Sequence, residues 1–385
     1  MTPAEADLTA AGRLVVKLGS ALVARPEGGA DADRLGDLAA DIAVLRRAKV
    51  EVTIVCSGAV AIGRSLTGDA FRSGRLEDKQ AAAAVGQSRL MQAWSDAFSP
   101  HGLMPAQALL TLADTEARRR WLNARNTLNR LLAAGVVPII NENDTVATEE
   151  IRYGDNDRLA ARVAQMIGAD RLVLLSDIDG LYTADPRSNP KADFLPRIDA
   201  ITPEILAMAG GPNAAGQLGS GGMASKLAAA QIATAAGCAV AITSGAASRP
   251  LSRLAGGARA SWFPPHVNPQ TARKQWILGT LEPTGAIEVD AGAARALMQG
   301  ASLLPVGVLA VDGGFDRGEC VRIRADDGTD LARGLAAYDA GEARQLIGVR
   351  TEDIETRLGY RRGAALVHRD DLVLITRAYA DADSA

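Results

Sequence analysis

Histidine, cysteine and aromatic side chains are scarce: the 385 residues hold 3 His, 3 Cys and 4% Phe, Trp and Tyr. Cys56, Cys238 and Cys320 lie far apart, each inside an apolar run. That spacing excludes a disulfide scaffold or thiolate metal cage and reads as reduced core residues of a cytosolic protein. His101, His266 and His368 are isolated, so no nucleophile–base pair is visible, and no residue set reads as a metal site. Charge is balanced as well, with 42 Lys and Arg against 45 Asp and Glu and a net of -3. Nothing global therefore calls for nucleic acid or an anionic membrane. A long apolar run is also missing. The alanine-rich stretch 227–247 is interrupted by Gln231, Thr234, Gly237 and Thr243 and divides better into a helix and a strand than into a membrane span. Met1 to Gly12 has neither a basic nor an apolar segment, so no secretory leader is evident and the expected location is the cytoplasm.

What the chain does have is length and 48% apolar residues, enough for two domains with real cores. It also has the stretch Gly219-Ser220-Gly221-Gly222-Met223-Ala224-Ser225-Lys226, followed by an alanine-rich run to Gly237. Glycines let a backbone approach a ligand closely. A helix starting there offers unpaired N–H groups and a positive dipole end to a phosphate. Lys226 in the first turn adds a full charge. Ser225 precedes that lysine where the P-loop pattern requires glycine, so this is a phosphate site of another design.

The first 260 or so residues alternate apolar runs with helical ones. Leu14 to Leu18, Val50 to Cys56, Val136 to Ile140, Arg171 to Leu175 and Ala239 to Thr243 read as strands; 31–48 and about 78–98 read as helices. Such strands indicate a parallel sheet covered on both faces, with ligands at the strands' carboxyl ends. The residues found there are Lys17-Leu18-Gly19-Ser20, Ser57-Gly58-Ala59-Val60, Asn141-Glu142-Asn143-Asp144 and Ser176-Asp177-Ile178-Asp179-Gly180. Four small or charged strand ends, with the glycine loop, outline one polar cleft.

Lys17 in an apolar strand is costly unless an anion meets it. Two ammonium groups converging on one cleft suit a transferring phosphoryl group, whose catalysis is mostly positioning and charge stabilisation. The run 141–158 holds six carboxylates, and its Asp155 could cap a helix continuing through 168. Asp144 and Asn156 there suit an ammonium, and Asp157 suits ion pairing that orients the lysines. An amino acid fits this loop better than a nucleotide monophosphate does.

Lys17 to Ser20, Ser57 to Gly63, Val85-Gly86-Gln87-Ser88-Arg89-Leu90, the run Asn141 to Asp157, Gly180 to Pro186 and Gly219 to Lys226 together resemble the amino acid kinase family, in the branch that phosphorylates the side-chain carboxylate of glutamate. The resemblance covers about residues 13 to 376. It implies a three-layer α/β/α sandwich with a mainly parallel sheet in residues 1–262, a linker in 263–283, a small β-barrel PUA domain in 284–378, and a tail in 379–385. It implies ATP and Mg²⁺ as co-substrates, with Lys17 and Lys226 at the phosphates and Asp157 as the organiser between them. Ser57, Asp144 and Asn156 would hold L-glutamate. Ser176 and Asp177, with Ser220, Gly221, Gly222, Met223, Ala224, Ser225 and Lys226, would bind ATP. Ser176 and Ser220 stand where the family often has threonine, and Ala224 where a serine occurs. The family further implies proline as a feedback inhibitor, a homodimer or homotetramer, and a glutamyl phosphate reductase as a partner.

Beyond 262 the strands expected are Gly285 to Val289, Gly307 to Val311, Cys320 to Arg324 and Leu372 to Thr376, with Arg322 and Arg324 alternating against Val321 and Ile323. A PUA domain suggests RNA. However, residues 280–378 hold 12 Arg or Lys against 16 Asp or Glu, and an RNA-binding face should be basic. Arg361, Arg362, His368 and Arg369 could form only a local patch. Two other readings stand beside the favoured one. One is a kinase of the same fold acting on carbamate, N-acetylglutamate or aspartate. The other is an RNA-binding or regulatory protein with a degenerate kinase domain, against which intact Lys17, Asp157 and Lys226 speak.

Overall fold

In the computed structural model, which describes residues 7–71, 73, 75–146, 156–209, 222–265, 267–280 and 282–375, the strand Arg13–Leu18 (β1) lies at the centre of a seven-stranded sheet. The larger unit continues with β2 (Glu51–Cys56), β3 (Pro105–Leu110), β4 (Val137–Glu142), β5 (Arg171–Ser176), a short hairpin β6 (Leu181–Tyr182) and β7 (Phe194–Leu195), β8 (Ala239–Ser244) and β9 (Ala260–Phe263). The sheet order is β3-β4-β2-β1-β5-β8-β9, and all its pairings are parallel except that of β9 with β8.

Residues two apart in β1 share a face. Leu14, Val16 and Leu18 pack into one apolar cluster with α1 (Ala32–Arg47), α2 (Ala59–Thr67) and α3 (Leu76–Phe98). Val15 packs on the opposite face with α4 (Arg118–Ala133), α5 (Asn156–Ile167) and α6 (Met223–Ala235). Helices thus cover both faces of the sheet, which is why its central strands are apolar throughout. Lys17, two residues from Val15, falls on the α5–α6 face.

One helix contact is set by glycine. A Cβ on Gly63 would lie 1.8 Å from the carbonyl oxygen of Ala82, and one on Gly86 would lie 1.8 Å from that of Ala59. Helices α2 and α3 therefore meet backbone to backbone, a separation that no larger residue permits.

Some elements differ from expectation. The fourth strand runs on to Glu142, so Asn141 and Glu142 sit in the ladder opposite Leu109 and Leu110 of β3. They are not in the loop after it. Strand β3 itself, Pro-Ala-Gln-Ala-Leu-Leu, lies at the sheet edge and carries no β-branched residue to announce it. At the other edge the chain turns back as β9.

The chain divides into two compact units, Met1–Pro269 and Gln270–Ala385, and the helix Pro269–Thr280 occupies much of the stretch read as a linker. The second unit has its own five-stranded sheet of β10 (Gly285–Val289), β11 (Val308–Gly313), β12 (Cys320–Ala325), β13 (Asp330–Ala336) and β14 (Val367–Leu374), in the order β11-β10-β12-β13-β14. Its last strand starts five residues earlier than the sequence suggests, because His368 to Asp371 interrupt the apolar pattern. Val321 and Ile323 are buried, while Arg322 and Arg324 face Asp330 on the half-exposed side. Arg362 faces Glu342 and Tyr360, and His368 and Arg369 face Asp370, so each of these basic groups has an acidic neighbour. No helix among the described residues is long and apolar enough to cross a membrane.

Candidate active site

The site grows from the position of Lys17 on β1. The strand directs this side chain towards the first turn of α5, where Asp157 is fully buried. Lys17 Nζ lies 2.5 Å from Asp157 Oδ1. From the other side the first turn of α6 brings Lys226 Nζ to 3.0 Å from Oδ2 of the same carboxylate, and the Ser225 hydroxyl donates to that oxygen at 3.3 Å. Both lysines are only 4% exposed. Residues separated by 209 positions in the chain thus meet on one aspartate.

Burial by itself would raise the Asp157 carboxyl. The charges and hydrogen bonds of Lys17 and Lys226 together outweigh that and hold it below its ordinary value. Two ammonium groups against one carboxylate leave the cluster with an excess of one positive charge in a nearly dry place. Helix ends add to this field. Among the described residues, no side chain caps the N-terminus of α2, which starts after Gly58, or of α6, which starts after Gly222, and a helix start of this kind favours an anion. Gly58 takes φ +110°, a left-handed conformation that suits glycine.

Beside the cluster lies a row of amides. Asn156 Nδ2 donates to Ser57 Oγ at 2.7 Å, to Asn141 Oδ1 at 3.1 Å and to the Cys56 carbonyl at 3.2 Å. Asn141 Nδ2 donates in turn to Gln87 Oε1 at 2.8 Å. Asp144, just past β4, is half-buried, and desolvation pushes its carboxyl up to about 6. On the β5 side, Ser176 Oγ donates to Asp177 Oδ1 at 3.1 Å. Asp177 is exposed and paired with Arg187 at 2.8 Å.

Lys17, Asp157, Lys226 and Ser225 are therefore brought together, and so are Ser57 and Asn156. Gly222, Met223 and Ala224 open α6, whereas Ser220 and Gly221, with Asp155 as the cap expected for α5, lie outside the described residues. Sequence reasoning gave Gln87 and Asn141 no role. Their one signal is that both fall within stretches already singled out. The three cysteines are buried and form no disulfide, and burial pushes the Cys56 thiol up to about 12, which disfavours the thiolate a nucleophile needs there.

Among the described residues, no group of three or more His, Cys, Asp or Glu gathers to hold a metal. Both oxygens of Asp157 are taken by lysines.

Residues 12–244 match the profile described as Amino acid kinase family, and residues 285–358 match the PUA domain. Glutamate 5-kinase of Caulobacter vibrioides (strain NA1000 / CB15N) is 58% identical over 367 residues, covering 95% of this chain and 97% of that protein. Glutamate 5-kinase of Agrobacterium fabrum is 57% identical over 362 residues, covering 94% and 92%. That of Paramagnetospirillum magneticum is 55% identical over 368 residues, covering 95% and 99%. With a matching profile over more than half its length and relatives of this identity over nearly all of it, the chain belongs to the amino acid kinase family, among the glutamate 5-kinases, and carries a PUA domain after the kinase domain.

Proposed function

We propose that this kinase transfers the γ-phosphoryl group of ATP, supplied as its Mg²⁺ complex, directly and in line to the side-chain carboxylate of L-glutamate. The product is L-glutamyl 5-phosphate, and the step opens proline biosynthesis. The observation that carries this reading is the convergence of Lys17 and Lys226 on Asp157. The acceptor carboxylate is already ionised at neutral pH, so no general base is needed. The difficulty is bringing one anion to another. Asp157 holds both lysines in place. Their ammonium charges stabilise the charge that develops on the phosphoryl oxygens. Ser57, Asp144 and Asn156 hold glutamate. Ser176, Asp177 and the segment from Ser220 to Lys226 hold the nucleotide. The bound Mg²⁺ neutralises phosphate charge. Proline as a feedback inhibitor, assembly into a homodimer or homotetramer, and glutamyl phosphate reductase as a partner belong to the same proposal, on the strength of the family resemblance.

The direct test is trapping with hydroxylamine. Glutamate and MgATP should give γ-glutamyl hydroxamate in proportion to the ADP formed, with carbamate, N-acetylglutamate and aspartate giving far less. ADP release without hydroxamate would defeat the proposal.

Asp144 provides a pH signature. Its folded carboxyl is raised to about 6 from 3.8 by desolvation. The folded chain is therefore favoured by protonation there, and loses roughly 3 kcal/mol as pH rises from below 3.8 through 6. A substrate ammonium beside Asp144 favours the ionised form, so protons compete with glutamate. KM for glutamate should rise about tenfold per pH unit below 6 while KM for ATP stays flat. Asp144→Asn should raise KM for glutamate at pH 7.5 and abolish this slope. A slope that survives the substitution would remove Asp144 from acceptor binding.

A further inference from the structure

The run Val85 to Leu90 contains a residue that the reaction as described leaves without a task. Gln87 stands on α3, and its side chain reaches Asn141 across from β4. Its Nε2 is buried and has no hydrogen-bond partner among the described residues. A methionine of similar length would fill the same space without burying an unpaired donor, so packing does not account for a glutamine here.

The chemistry of the neighbours decides which end of each amide is oxygen. The backbone N–H of Glu142 donates to Asn141 Oδ1 at 2.9 Å. An N–H can only donate, so Asn141 must turn its nitrogen to Gln87 and Gln87 must answer with Oε1. The Cys56 carbonyl can only accept, so the atom of Asn156 that faces it is Nδ2. That same nitrogen reaches Asn141 Oδ1 and Ser57 Oγ. The row therefore has one direction from end to end. Ser57 Oγ accepts from Asn156, which leaves its hydrogen free to donate. Asn156 Oδ1 is left as a buried acceptor with no partner among the described residues. An α-amino acid requires both kinds of group, a donor for a carboxylate and an acceptor for an ammonium.

The scaffold holds Gln87 at a fixed height. Its chain neighbour Gly86 is pressed onto the Ala59 carbonyl of α2, and Gly63 onto the Ala82 carbonyl of α3. Helix α2 begins two residues after Ser57. The two ends of the amide row are thus carried by helices that cannot slide past one another.

We infer that Gln87 is a positioning residue for the amino-acid acceptor. By holding Asn141 it fixes the orientation of Asn156 and, through Asn156, the hydroxyl of Ser57. The inference rests on the proposed role of Ser57 and Asn156 in holding glutamate. Gln87→Met removes the oxygen that Asn141 needs. It is expected to raise KM for glutamate by roughly tenfold, with KM for ATP within about twofold of the unaltered chain and the melting temperature unchanged. Because Gln87 acts through Asn156, the Gln87→Met/Asn156→Ala double variant should bind glutamate within about twofold of Asn156→Ala alone. Should Gln87→Met fail to fold, the near-isosteric Gln87→Glu keeps an oxygen towards Asn141 and should hold KM within about threefold. An unchanged KM for glutamate in Gln87→Met, an equal rise for ATP, full additivity with Asn156→Ala, or a tenfold loss in Gln87→Glu would each overturn the inference. If Asn156→Ala itself leaves KM for glutamate unaltered, the acceptor-site reading fails instead.

Discussion

Lys226→Ala is expected to lower kcat by at least about a hundredfold while leaving the chain folded. The magnitude follows from electrostatics. A unit charge at ~4 Å in a partly screened site contributes roughly 4 kcal/mol, and each 1.36 kcal/mol is about tenfold in rate. Asp157 offsets part of the field, which is why the expected loss is given below the full thousandfold. Stability should hardly change, because the substitution leaves Lys17 and Asp157 as a balanced pair 2.5 Å apart. Single-turnover kinetics beside a thermal melt will show this. Turnover near that of the unaltered chain would remove Lys226 from the mechanism.

Asp157→Ala should show the opposite balance of effects, with activity lost and stability lost with it. Removing the carboxylate takes away the counter-ion that two ammonium groups, each 4% exposed, share. An uncompensated buried charge costs about 3 to 5 kcal/mol, or on the order of 10 °C in melting temperature for a unit of this size. The pH dependence has a definite sign. Asp157 is held below its ordinary 3.8, so its contribution is fully present above that pH and is lost as pH falls through the lower folded value. The variant should lack this acid limb. A Tm within a degree or two of the unaltered chain, measured at neutral pH, would mean that the aspartate is not what permits both lysines to be buried.

The three residues of this cluster are legible in the sequence because each breaks a local rule. Lys17 is a charge in an apolar strand, Lys226 follows a glycine-rich segment, and Asp157 closes an acidic run that leads into a helix. Violations of this kind point to chemistry. The central strands are equally plain, since burial on both faces forces uninterrupted apolar runs. What escapes is what breaks no rule. Gln87 is an ordinary residue on an ordinary helix, and only the distance to Asn141, 54 positions away, gives it meaning. Asn141 reads as turn chemistry, yet it lies in the ladder because its side chain is occupied by other amides. Edge strand β3 lacks the β-branched residues that mark its neighbours, and β14 is hidden by the polar stretch at its start.

The paired glycines between α2 and α3 also govern how this half of the cleft can respond to a ligand. Where side chains interdigitate, a nudge at one point is absorbed by torsions. Here peptide planes touch with nothing between them to yield. The two helices meet without an intervening side chain, so a shift at the start of α2 next to Ser57 is expected to carry α3 and Gln87 with it. The proposed acceptor pocket is thereby framed on this side by two helices in direct backbone contact.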